Sequence, residues 1–171
     1  MGIFTTDTKN LKELYEDLLH KTLNSERQLV KEGLPAMVEK ATAADLKSAF
    51  EKHLEETRIH VSRLERILDA LEGEDNESKC KTTAAMISET SSAAADAKDL
   101  QLRDVLLIAS GNQVEHYEIA VYGTLKTWAI VLGESEDAEV LQRTLEEEKA
   151  ANETLTRLSS QINLHAPMTS A

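Results

Sequence analysis

Between Pro35 and Pro167 the chain contains no proline, and only Gly73, Gly111, Gly123 and Gly133 interrupt that interval with glycine. Proline removes a helix hydrogen bond and glycine weakens a helix interior, so a chain this poor in both is free to form long helices. A sheet protein of comparable size would need many tight turns and the residues that make them. The 171 residues include only 4% aromatics, with Ala, Leu, Glu and Lys abundant, and the expected class is all-α. That length suits one domain, 1–171, with a helical core over 7–165 and a frayed tail over 166–171.

Helical periodicity divides the chain into four long helices and one short one. The first, capped by Asp7 or Thr8, carries Leu11, Tyr15, Leu18, Leu19, Thr22, Glu26, Leu29 and Gly33 on one stripe, and Pro35 kinks it before it ends near Ala41. Thr42 to Asp45 reads as a turn. The second helix runs to about Glu72 with Phe50, Leu54, Val61, Leu64, Ile67, Leu68 and Leu71 as its apolar side and Gly73 as its stop. GEDNES, 73–78, is turn-forming, and Lys81 to Ala97 forms a shorter helix within a long crossover. Asp99 opens the third long helix, which Gly133 ends, and the fourth starts near Ser135 with Leu141, Leu145, Glu148, Asn152, Leu155, Ser159 and Ile162 in a seven-residue pattern. A short link, a long crossover and a second short link describe a four-helix bundle of two antiparallel hairpins.

Carboxylates interrupt these apolar stripes at matched heights. In an antiparallel hairpin, residues at one level have sequence positions whose midpoint falls in the turn. The midpoint of Glu26 and Glu56 is Ala41, and that of Glu115 and Glu148 lies between Val131 and Leu132. Glu115 and Glu118, in the run VEHYEIAVY, are one turn apart and share a face. Glu26, Glu56, Glu115, Glu118 and Glu148 can therefore converge in the core, where unpaired carboxylates resist ionisation and repel one another. Two metal ions remove that conflict, and four-helix bundles hold two iron or manganese ions with such a set of Glu plus nearby His. His60, one turn after Glu56, supplies an imidazole.

Other residues take lesser parts. His53 is expected to hydrogen-bond behind the ligands, though the sequence does not choose between it and His60 as the ligand, and His116 to serve packing or a subunit contact. Tyr117 and Tyr122 read as core or interface, with Tyr122 a candidate hydrogen bond to a ligand, and Cys80 as inert. Leu54-Glu55-Glu56 and Leu145-Glu146-Glu147 repeat weakly between the two halves, which sets Glu147 rather than Glu148 opposite Glu56 and keeps it in reserve. The 19 Lys+Arg against 31 Asp+Glu, net −12, disfavour nucleic acid and anionic membrane surfaces as partners. A lone cysteine and the lack of a span-length apolar run suggest a soluble cytoplasmic protein; MGIFTT fits a myristoylation pattern with no basic cluster after it.

The runs HLEETRIHVSRLE, VEHYEIAVYGTL and TLEEEKAAN resemble the bacterial YciF/YciE stress-protein family, a branch of the ferritin-like superfamily close to rubrerythrin and manganese catalase. The resemblance implies a ferritin-like bundle and a role in stress responses. Rubrerythrin-like sites carry a Glu-x-x-Glu pair on the third helix, as Glu115 and Glu118 do. They also place a His three residues after a Glu on the second and fourth helices, where this chain has Ile59 after Glu56, and Ala150 and Ala151 after Glu147 and Glu148. Together these readings imply an iron or manganese protein acting on peroxide, dioxygen or ferrous iron. Glu56 and Glu148 would bridge, Glu26 and His60 would hold one ion, and Glu115 and Glu118 the other. A homodimer and an outside reductant are expected. The alternative is a non-catalytic structural or interaction bundle that has lost turnover.

Overall fold

In the computed structural model, which describes residues 9–71 and 79–168, the chain is an all-α bundle. Helix α1 (Leu11–Gln28) opens at Asn10, whose Oδ1 accepts the Glu13 N–H at 2.9 Å. The expected caps Asp7 and Thr8 lie outside the described residues, as does MGIFTT. One π turn follows at Leu29–Gly33, where the Leu34 N–H donates to the Leu29 carbonyl five residues back. It leads without a break into α2 (Leu34–Lys40), and Pro35, which has no N–H to give the preceding turn, falls immediately after the π turn. The irregularity expected at Pro35 is therefore centred on the π turn before it.

Helix α3 (Ala44–Ala70) has no side-chain cap of its own. Asp104, from another helix, accepts the N–H groups of Thr42 and Ala43, both at 2.8 Å, and the Thr42 hydroxyl at 2.5 Å. Asp45 thus belongs to the first turn of α3 and not to the link. The expected stop at Gly73 and the GEDNES turn lie outside the described residues. Helix α4 (Lys81–Asp96) is the crossover helix. Helix α5 (Leu100–Leu132) is capped by Asp99, which accepts from Gln101 and Leu102, and ends at Gly133 with φ +85°, a left-handed conformation that favours glycine. Helix α6 (Ser135–Ile162) completes the second hairpin, and a single 3-10 turn, Asn163–His165, follows it.

Cross-helix contacts give the directions. Tyr122 meets Glu26 and Asp104 meets Thr42, so α5 runs against α1 and α2. Tyr15 donates to Asp137 at 3.0 Å at one end of the bundle. At the other end Gly111 admits Leu155, since a Cβ there would lie 2.7 Å from Leu155 Cδ1.

The apolar core has two parts. One joins Tyr15, Leu19, Leu64, Tyr122, Leu125 and Leu141; the other joins Leu29, Met37, Phe50, Leu107, Val114 and Leu155. Along each long helix the residues between the two parts are polar and buried: Glu26 on α1, His53, Thr57 and His60 on α3, Glu115 and Glu118 on α5, and Glu148 on α6. Every long helix thus breaks its apolar stripe at one level, which places a charged layer across the middle of the bundle.

Candidate metal centre

The layer contains two groups of donor atoms, each close enough to share one ion: His53 with Glu115, Glu118 and Glu148, and His60 with Glu26 and Glu148. Glu148 is common to both and fully buried. His53 Nε2 lies 3.3 Å from Glu115 Oε1 and 3.6 Å from Glu148 Oε2, while His60 Nδ1 lies 3.0 Å from Glu148 Oε1 and 3.8 Å from Glu26 Oε1. The two rings stand edge to face with centroids 6.4 Å apart.

These atoms are close without being satisfied. Both oxygens of Glu118, both of Glu148, one each of Glu26 and Glu115, and Nδ1 of His60 are buried and make no hydrogen bond. The Tyr122 hydroxyl donates to Glu26, among the described residues the one neutral donor that reaches an inner carboxylate, as its position on the stripe suggested. Thr57 lines the layer but turns its hydroxyl back to the His53 carbonyl at 2.8 Å. Native cores leave few buried polar atoms unpaired, and this concentration in one layer is a set of donors that can hold a cation.

The electrostatics agree. Burial, reinforced by the neighbouring Glu148 charge, pushes the Glu26 carboxyl up to about 7. Burial also lifts Glu115 to about 8, although the adjacent His53 pulls it down. Glu118 is raised well above the ordinary range by burial and by Glu26, Glu148 and Glu115. For His53, burial favours the neutral ring, but Glu115, Glu56 and Glu148 outweigh it and raise the imidazole to about 10. His60 shifts upward by the same opposition, chiefly through Glu148. Without a cation the layer retains protons.

Glu26, His60, Glu115, Glu118 and Glu148 are brought together as expected, and Glu56 is not. Its side chain is 25% exposed and pairs with Lys52 Nζ at 2.8 Å, with His53 Nδ1 3.7 Å away. The Glu56 carboxyl is drawn down to about 2, first by His53 and then by Lys52. On α3 the buried arc runs through His53, Thr57, His60 and Leu64, and Glu56 falls roughly 40° outside it at 100° per residue. His53 therefore occupies the inner position expected for Glu56. Its seven-residue spacing to His60, two turns on one face, was the signal in the sequence. This also supplies the second imidazole from α3, where α6 offers none.

Glu147 is outside the layer, 31% exposed, and bound by Arg63, with Arg63 Nη2 to Glu147 Oε1 at 3.1 Å and a second, shorter contact through Nη1. His60 Nε2 lies 2.9 Å from Glu147 Oε2. Glu56 and Glu147, which the internal repeat aligned, are thus alike in being half-exposed and salt-bridged. Arg63 escaped notice because nothing local marks it. His116 is exposed, with Nδ1 2.8 Å from the Asn112 carbonyl. Cys80 is buried against Thr83 at 3.4 Å and Tyr117 at 3.5 Å; burial raises the thiol but these hydrogen bonds prevail and lower it.

The family model described as a domain of unknown function, DUF892, matches residues 10–166. The chain belongs to the DUF892 family. It is 37% identical over 155 residues to the protein YciF of Escherichia coli (strain K12), spanning 88% of this chain and 91% of that protein. The crystal structure of the E. coli stress protein YciF superimposes with a TM-score of 0.87 at 33% identity, covering 93% of this chain and all of that one. YcfI from Rhodopseudomonas palustris, for which a structural role has been suggested, superimposes with a TM-score of 0.84 at 35% identity, covering 90% of this chain and 97% of that one. This DUF892 member is thus a YciF-like protein with an all-α bundle and buried His and Glu groups that can hold metal. Among its described residues no helix is long and apolar enough to cross a membrane.

Proposed function

We propose that this protein holds two iron or manganese ions in its central layer and acts on peroxide, dioxygen or ferrous iron in stress defence. The observation that carries the reading is the set of unpaired, buried carboxylate and imidazole atoms that four long helices bring to one level. Four inner glutamates, Glu26, Glu115, Glu118 and Glu148, would carry four negative charges, which two divalent ions balance. Mixed carboxylate and imidazole donors suit iron and manganese. His53, Glu115 and Glu118 would hold one ion, Glu26 and His60 the other, with Glu148 between them. Bound there, such ions supply Lewis-acid and one-electron chemistry.

The residues around the ions have separate tasks. Tyr122 holds Glu26 in place through its hydroxyl, and the apolar side chains above and below the layer exclude bulk water. Cys80 is the chain's only cysteine, so electrons for turnover would come from a separate reductant. The stress-protein name of the E. coli relative supports the setting. The structural role suggested for the R. palustris relative favours the second reading, a bundle that no longer turns over.

Elemental analysis of protein purified without added metal separates the two readings. The expected result is about two transition-metal ions per chain, lost in Glu148→Ala and reduced in His53→Ala. Metal-free protein whose melting temperature ignores added Mn(II) or Fe(II) would overturn the metal reading. Peroxide consumption with and without an added thiol reductant then distinguishes a turning-over centre from an inert one.

A further inference from the structure

The two inner imidazoles face the carboxylate layer with different nitrogens, His53 with Nε2 and His60 with Nδ1. For His60 the reason lies outside the layer. Its Nε2 is 2.9 Å from Glu147 Oε2, and Glu147 is in turn gripped by both Nη atoms of Arg63, whose Nη1 also takes the Thr144 hydroxyl oxygen at 3.0 Å. A carboxylate engaged by a guanidinium offers only acceptor oxygens, so the ring must present N–H on the Nε2 side. Nδ1 is then the nitrogen left to give its lone pair to a metal; it is fully buried, without a hydrogen bond, and lies between Glu148 and Glu26. Metal-bound histidines are commonly oriented by a carboxylate on the opposite nitrogen. Glu147 is not a member of either donor group.

We infer that Glu147, held by Arg63, is a positioning residue that fixes the tautomer and orientation of His60 so that Nδ1 is its metal-binding atom. The inference rests on the two-ion reading given above. Glu147 sits one residue before Glu148 on α6, so one helix presents the ligand and the group that orients its neighbour on adjacent faces, about 100° apart. The half-exposed placement of Glu147 allows its replacement without opening the core.

The test uses Co(II) titration of the full chain, wild type, Glu147→Gln and Glu147→Asp, together with nitrogen-15 imidazole spectra of the Zn(II)-loaded protein. Glu147→Gln loses the guanidinium grip and can turn an amide N–H toward His60, so the expected result is Co(II) affinity lowered by roughly 10- to 100-fold for one of two ions. Glu147→Asp, which keeps the carboxylate, recovers part of that loss. In wild type the zinc-loaded spectrum shows the metal on Nδ1 of His60 and a proton on Nε2. Zinc on Nε2, or equal Co(II) affinity in wild type and Glu147→Gln, overturns the positioning role and leaves the metal centre standing. Failure of the wild type to take up Co(II) at all overturns the metal reading and this inference with it.

Discussion

Replacing Glu148 with glutamine keeps the size of the side chain and removes one charge from between two imidazoles and three other carboxylates, an effect to be read against pH in metal-free protein. Glu26 at about 7 and Glu115 at about 8 keep protons in the folded state that the unfolded chain releases above its ordinary carboxylate value of 4.5. His53 at about 10 does the same relative to 6.5, and His60 shifts in the same direction. The folded state therefore binds more protons, and stability falls as pH rises through these values. Glu56, at about 2, has the opposite sign, but its window lies below pH 4.5. Each proton of difference is worth about 1.4 kcal/mol per pH unit, so from above the unfolded carboxylate value up to about pH 7 Glu26 and Glu115, still protonated in the fold, give a loss on the order of 2–3 kcal/mol per unit, and Glu118, raised in the same direction, steepens it. Glu148 raises all four groups, and Glu118 with them, by repelling the carboxylates and attracting the imidazoles. In Glu148→Gln all four move back toward ordinary values, and the slope falls by about 1 kcal/mol per pH unit. Urea unfolding followed by helical circular dichroism from pH 5 to 8, with a chelator present, measures both slopes. Equal slopes in the two proteins, or a wild type that gains stability with rising pH, would refute the reasoning. Added Mn(II) reverses the sign for the wild type, because metal uptake displaces the same protons.

Two perturbations away from the centre check the fold. Asp104→Ala strips the side-chain cap from the α2–α3 link and leaves two backbone N–H groups without their acceptor, so a loss of about 2–3 kcal/mol is expected in urea unfolding. Gly133→Ala forces a side chain into the left-handed conformation that ends α5, with open space around it, and is expected to cost about 1–2 kcal/mol without altering metal content.

Within each hairpin the level of the polar residues was legible in the sequence because it follows from connectivity. A short link makes a hairpin and each helix residue advances a fixed rise, which set Glu26 level with Glu56 and Glu115 level with Glu148, while the packing of one hairpin on the other brought Glu26 and Glu148 into one layer. Asp99 and Gly133 marked helix ends for equally local reasons, one a side-chain cap and the other a left-handed backbone. Which side chain on each helix faces inward depends instead on how far the helix rolls about its axis, and only packing against all its neighbours decides that. The roll of α3 put His53 inside and Glu56 at the edge, beside Lys52. That same roll gave the centre its second imidazole, and the facing roll of α6 buried Glu148 while leaving Glu147 to Arg63 and His60. Height within a hairpin is a property of the chain, and azimuth a property of the assembled bundle.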